Sequence, residues 1–331
     1  MAVKAARRAW HGVNQVGKHP IRFGVQTAPQ QISWAELRET WQEVETLGFD
    51  TLWVNDHLLP SVGPSDASNL EGWTMLGAIA ALTAHVRIGV MVTSNTFRHP
   101  AVLAKMATTV DHISGGRLIL GIGSGYFAQE HQVYGIPLDT PSRRARQLAE
   151  ALQVIRKLWT EEDASFTGTY YQLANAPFSP KPLQKPHPPI MIAGTGEKLI
   201  LPLVAKYADL WNAGGLGIEA LWGKIAILEE HCGRIGRDGS DIEKTYLTPL
   251  YLRSNPSEVE RLLTQIPQVQ TLSIEQMRAI ILAGDVAAVQ CQVQAYLDVG
   301  ITQVIIALRR PGFYDREGLR LFAREVMPAF R

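Results

Sequence analysis

The sequence is poor in the residues from which most metal and covalent redox sites are built. Two cysteines occur in 331 residues, Cys232 and Cys291, far apart and without CxxC spacing. That argues against a disulfide framework or thiolate metal site and leaves two idle thiols in a reducing cytosol. The nine histidines never fall into HxxxH or HxH pairs, so no chelate is offered and no metal is expected. No GxSxG elbow is present, which removes the usual support for serine hydrolysis. No stretch approaches eighteen uninterrupted apolar residues, so no membrane span is expected. An excess of one charge is also missing. Lys and Arg number 32 against 31 Asp and Glu, a formal charge of +1, and this argues against nucleic-acid or membrane-surface partners. Acidic residues are absent before Glu36, while Lys4, Arg7, Arg8, Lys18 and Arg22 precede it. With no serine in its first twenty residues and no apolar h-region, this start does not read as a targeting segment. It reads as a flexible arm over residues 1–20, ahead of a single domain over 21–331 of a cytoplasmic protein.

What is present is a large apolar core, 46% of residues against 19% charged, carried by a β-then-α alternation from residue 21 onward. Ile21–Gln26 and Thr51–Val54 read as strands one and two, with a helix over Trp34–Leu47 between them. Ser33 is placed to cap that helix and Gly48 to end it. Val86–Thr93 reads as one continuous strand buried on both faces, and Arg117–Ile122 as the fourth strand. Pro100–His112 and Ser142–Trp159 read as helices, the second with Leu148, Leu152, Ile155 and Trp159 on one face. Residues 164–188, rich in Pro and aromatics, read as an insertion loop after strand four. Pro189–Ala193, Ala208–Trp211, Thr245–Leu252 and Gln303–Ala307 complete eight strands, the last preceded by a helix over Val286–Leu297. Eight such units predict a parallel sheet covered by helices. The count favours an α/β fold of the (β/α)8 TIM-barrel type over an open doubly wound sheet. The near-match to a dinucleotide fingerprint at Gly121-Ile-Gly-Ser-Gly-Tyr126 has its third glycine one place early and follows the wrong strand.

In such a barrel the chemistry sits at the C-terminal strand ends. Those positions hold Gln26, Asn55-Asp56-His57, Thr93-Ser94-Asn95, Gly123-Ser124-Gly125-Tyr126 with Gln129 and Glu130 beyond, Gly194-Thr195-Gly196, and Asn212–Gly215. The list is rich in small and polar groups, which suits a bound organic cofactor that carries the reactive atom. Gly194-Thr195-Gly196-Glu-Lys198, a glycine turn before a helix expected over Leu199–Tyr207, reads as an anion cradle. An ordinary βα turn is the plainer alternative. His57 reads equally as a catalytic residue or a backbone cap, and Glu130 and Tyr134 equally as solvated helix positions.

The runs Val86–Lys105 and Asp111–Tyr126, with "SGGR" and "LGIGSGY" inside the second, resemble the luciferase-like monooxygenase superfamily. The resemblance continues through Glu130, Tyr134–Pro137, Leu158-Trp159, Pro188–Gly196 and Ala208–Asn212, and so covers nearly the whole chain from residue 21. "GVQTAPQ", "LWVNDHL" and "AGTGEK" are most similar to its F420-dependent oxidoreductase branch. The resemblance implies a TIM barrel that binds coenzyme F420, or reduced FMN as the alternative, and moves hydride to or from a small organic substrate. With FMN, oxygen would be the co-substrate and a reductase would supply the flavin. It implies a non-proline cis peptide at Met91–Val92 propping the ring, a ring site lined by Gln26, Thr93 and Ser124, and a phosphate cradle of Gly194, Thr195 and Gly196. It places His57 at the hydride-transfer face and implies a homodimer. Where sugar-phosphate members carry an acid, this chain has Tyr126. A sugar phosphate is therefore not the expected substrate, and the proton source is open among Tyr126, Glu130 and His57. A non-catalytic barrel, as in partner subunits of the superfamily, is a further alternative, disfavoured by the intact cradle and rim histidine. Residues 255–281 depart from the family pattern and are expected to shape the substrate pocket.

Overall fold

The structure, a computed structural model, describes residues 18–264, 273–308 and 314–331. Its elements run β1 (Arg22–Thr27), α1 (Trp34–Thr46), β2 (Thr51–Val54), α2 (Gly72–Leu82), β3 (Arg87–Val90), β4 (Thr93–Ser94), α3 (Pro100–Ile113) and β5 (Leu118–Gly123). Then come α4 (Ala128–Val133), α5 (Pro141–Thr160), β6 (Asp163–Thr167), β7 (Gln172–Pro177), β8 (Ile190–Ala193), α6 (Leu201–Tyr207), β9 (Leu210–Gly214) and α7 (Ile218–Arg234). The chain continues with β10 (Glu243–Leu252), α8 (Pro256–Thr264), α9 (Ile274–Arg278), β11 (Leu282–Gly284), α10 (Val286–Asp298), β12 (Gln303–Leu308) and α11 (Arg316–Leu321), followed by short helical turns over Phe322–Val326 and Met327–Phe330.

The local chemistry explains where these elements start. The Ser33 hydroxyl accepts from the Glu36 N–H while Glu36 returns a bond to the Ser33 N–H, a full capping box,. Pro141 opens α5 at a position where its missing N–H costs nothing,. The α5 stripe of Leu148, Leu152, Ile155 and Trp159 is buried as its spacing requires.

Parallel pairing runs β1–β2–β3–β5–β8–β9–β10–β12 and returns to β1, so the sheet is a closed (β/α)8 barrel. Every strand of the barrel therefore ends on the same rim. Trp53, Met91, Ile119, Met191, Leu210 and Ile305 fill the barrel interior, and the larger core lies between sheet and helices. A third, small core gathers β10, β11, α8 and α9 around Tyr251, Val259, Leu263, Met277 and Ile281.

Three expectations are corrected. The third strand is not continuous. It breaks after Val90 and resumes at Thr93, and the intervening Met91–Val92 peptide is cis. Uniform burial hid the break, because a bulge inside a core leaves no polar residue in the pattern. The insertion of residues 164–188 is not a plain loop, since β6 and β7 pair there as an antiparallel hairpin. Most hairpin positions are exposed, so an alternating apolar signal was missing. The helix after β8 begins at Leu201 rather than Leu199. Of the expected N-terminal arm, residues 1–17 lie outside the described residues. Lys18 is tied down by Asp238 at 2.8 Å and Asp241 at 2.6 Å.

The break in the third strand is packed against glycine. A Cβ on Gly121 would lie 2.0 Å from the Val90 carbonyl oxygen. Gly121→Ala should therefore destabilise the fold by at least ~1–3 kcal/mol through overpacking. Gly77→Ala, in α2 with nothing within 4 Å of the new methyl, should stabilise it by roughly 0.5–1 kcal/mol. Urea denaturation of the two variants checks for opposite signs.

Candidate active site

The C-terminal rim holds three adjoining cavities. The central one, about 480 Å³, is walled by the ends of β1 to β5 and reaches β8, β9 and β10. His57, Met91, Val92, Ser124, Tyr126 and Glu130 all line it. Its floor owes its shape to a second glycine, for a Cβ on Gly123 would stand 2.9 Å from Val92 Cγ2. Two expected cofactor ligands brace this floor. Gln26 Nε2 donates to the Met91 carbonyl at 2.8 Å, and the Thr93 hydroxyl accepts from Trp73 Nε1 at 3.0 Å. Both residues are buried.

A buried ion pair fixes the end of β2 against the bulge. Arg98 grips Asp56 with two bonds, 2.7 and 2.9 Å, and reaches Glu71 at 2.5 Å. Asp56 also accepts the Ser94 N–H at 3.1 Å, and Glu71 caps α2 through the N–H groups of Trp73 and Thr74. Burial pushes the Asp56 carboxyl above its usual range, against the pull of Arg98 and the Ser94 N–H. The Arg98 guanidinium, despite its own burial, is held above its ordinary value by Asp56 and Glu71.

One residue on, His57 turns into the cavity. Its Nδ1 faces Glu130 at 3.1 and 3.3 Å, and Glu130 also accepts the Leu58 N–H at 2.9 Å. A carboxylate accepts only, so this pairing keeps the hydrogen on Nδ1 and turns the Nε2 lone pair toward the cavity. Tyr126 Oη stands 3.4 Å from Nε2. Glu130 is 2% exposed and Tyr126 is 70% exposed, so Glu130 is no solvated helix position while Tyr126 sits at the mouth. Tyr134, by contrast, is exposed.

A second cavity, about 470 Å³, shares Ser124 and Ile200 with the first and is lined by Thr195 to Leu199 and Lys224. The cradle residues are thus gathered in one place, with Gly194 at the wall of the central cavity. The α6 helix adds little, because it has seven residues and the Gly196 carbonyl already takes the N–H groups of Ile200 and Leu201. The cations here are Lys198 and Lys224, the latter paired to Glu197 at 2.6 Å. A third cavity, about 490 Å³, lies at the ends of β8, β9, β10 and β12 and shares Ala193, Gly194, Asn212 and Leu247 with the central one.

Arg98 and Lys224 escaped the reading of the sequence. Both come from outside the strand ends, and no local pattern marks them. Asn212 falls inside β9 rather than after it. Among the described residues no His, Cys, Asp and Glu cluster could hold a metal ion.

A closed barrel with a glycine-floored rim cavity and a carboxylate-paired histidine defines an enzyme of the cofactor-binding TIM-barrel kind. The luciferase-like monooxygenase family profile matches residues 16–301, and the chain belongs to that family. An F420-dependent glucose-6-phosphate dehydrogenase of Amycolatopsis mediterranei is 29% identical, with 94% of this chain and 99% of that one covered. An F420-dependent secondary alcohol dehydrogenase, solved with an F420–acetone adduct, superposes with TM-score 0.83 at 23% identity over 95% and 100% of the two chains. The oxygenating constituent of 3,6-diketocamphane monooxygenase from Pseudomonas putida, solved with FMN, gives TM-score 0.74 at 17% identity over 95% and 99%.

Among the described residues, Arg98→Met removes the one cation paired with Asp56 and leaves a buried carboxylate with one backbone partner. Unpairing of this kind costs about 3–5 kcal/mol. Chemical denaturation of the variant should read a loss of that size, well above the ~0–1 kcal/mol of a surface ion pair.

Proposed function

We propose that this chain is an F420-dependent oxidoreductase that moves hydride between the deazaflavin and a small organic molecule. The observation that carries the reading is the His57–Glu130 pair, set at the wall of a cavity floored by Met91, Val92 and Gly123. The donor set fits a planar heterocycle. Asn55 Oδ1 is buried at this cavity without a partner among the described residues, and it suits a ring N–H. Gly123 leaves space that a side chain would fill. Thr195, Gly196, Lys198 and Lys224 in the adjoining cavity suit the cofactor's phosphate. Bound F420 supplies two-electron hydride chemistry and reacts poorly with oxygen.

The protein's own part is to bind, orient and manage one proton. His57 Nε2 takes the proton from a substrate hydroxyl, or returns it to a carbonyl oxygen in the reverse direction. Glu130 is a positioning residue, holding the imidazole in the tautomer that leaves Nε2 basic. Tyr126, at the mouth, is placed to carry that proton toward solvent. The relatives named F420-dependent support this reading of the cofactor, and the family's monooxygenases support FMN with oxygen as the second reading. No described helix is long and apolar enough to cross a membrane. With both cysteines unpaired, we assign the enzyme to the cytoplasm.

Titration of the purified chain with F420 and with FMN, followed by cofactor fluorescence, should show micromolar quenching with F420. Binding of FMN alone overturns the proposal. His57→Ala should then lower kcat by about 10²–10⁴-fold, the usual worth of a general acid–base. Glu130→Gln should lower kcat by less, with the F420 dissociation constant unchanged in both variants.

A further inference from the structure

The third rim cavity is assigned no role by the reading above, and its chemistry is unlike that of its neighbours. The central cavity carries His57, Asp56 and Glu130, and the cradle carries two lysines and a glutamate. The third is walled by Leu247, Pro249, Tyr251, Met277, Ile280 and Ile281. Among the described residues that line it, none bears a charge. Its polar side chains are few, and Asn212 already donates to Thr245 Oγ1 at 2.9 Å. The apolar wall is a built surface. Met277 and Ile281 belong to the separate small core of β10, β11, α8 and α9, which Val259 and Leu263 back from behind. The volume, about 490 Å³, falls within the roughly 300–1,000 Å³ of pockets that enclose small organic ligands.

We propose that this cavity is the substrate pocket, and that its substrate is an uncharged, hydrocarbon-rich alcohol or ketone. This rests on the F420 reading, because it assigns the central and cradle cavities to the cofactor. The wall shared by the third and central cavities, at Ala193, Gly194, Asn212 and Leu247, lets the reacting end pass toward His57. The rest of the molecule stays against α9 and β10. Apolar burial supplies the affinity, at about 25 cal/mol per Å² of surface removed from water. A phosphate or carboxylate in the same place would lie desolvated against hydrocarbon with no described cation to meet it, which is strongly unfavourable. The substrate class thus differs from the glucose 6-phosphate named for the Amycolatopsis relative.

The test uses the full chain, with and without F420, and the neutral fluorescent probe N-phenyl-1-naphthylamine. The probe should bind with enhanced emission, and menthol or 2-octanone should displace it while glucose 6-phosphate does not. Ile280→Lys should weaken probe binding on the order of tenfold, the worth of one apolar side chain against a charge, and leave quenching of F420 unchanged. Met277→Gln is the second variant, read in the same way should the first fail to fold. Displacement by glucose 6-phosphate alone, or probe affinity unaltered in a folded variant, overturns the proposal. Failure of F420 to bind, with probe binding intact, overturns the cofactor reading and leaves the apolar pocket standing.

Discussion

The guanidinium of Arg98 is the constraint on which the rim depends. It joins three pieces of chain distant in sequence: the end of β2 through Asp56, the N-terminus of α2 through Glu71, and β4 through the Ser94 N–H that shares Asp56. His57 follows Asp56 directly, and Met91–Val92 lie just ahead of Ser94. Anything that loosens the ion pair therefore moves both the imidazole and the floor of the cavity. The gain from such a buried pair is small against an apolar replacement. Its value here is geometric, because two bonds to a planar fork set orientation as well as distance.

Much of the barrel was legible from the chain, because buried strands alternate with amphipathic helices and the count of eight favours a closed barrel over an open doubly wound sheet. The start of α1 was readable from the capping chemistry of Ser33, and α3 begins at Pro100 as expected, while α5 begins at Pro141, one residue before the Ser142 expected. The family followed from the "LGIGSGY" and "AGTGEK" runs. What escaped notice has two causes. The hairpin within residues 164–188 joins neighbouring segments, but its exposed positions give no alternating apolar pattern, whereas the bulge after Val90 and the grip of Arg98 on Asp56 are decided by partners far along the chain. Periodicity sees only near neighbours. Gln26 and Thr93 show the same limit at the site. Their positions on the rim were evident, but that Gln26 bonds the Met91 carbonyl and Thr93 the indole of Trp73 depends on the break in the third strand.

The site divides its tasks among neighbouring spaces by polarity. In the proposed reading charge is concentrated where a phosphate would be met and where a proton would be exchanged, and none of the described residues lining the third cavity bears one. Ser124 stands between cradle and centre, and Gly194 between centre and apolar pocket. Glu130 reaches His57 from α4 rather than from a strand. The histidine is thus oriented by a segment that carries no part of the barrel's closure.

The small core around Val259 and Leu263 packs apart from the barrel's main core. Energetic coupling fades between groups that share no contacts. Amino-acid replacements there can accumulate without disturbing Trp53, the bulge or the Arg98 anchor. With the third cavity as the substrate pocket proposed above, a lineage built on this plan is free to trade one molecule for another across generations while the half that handles electrons is inherited intact.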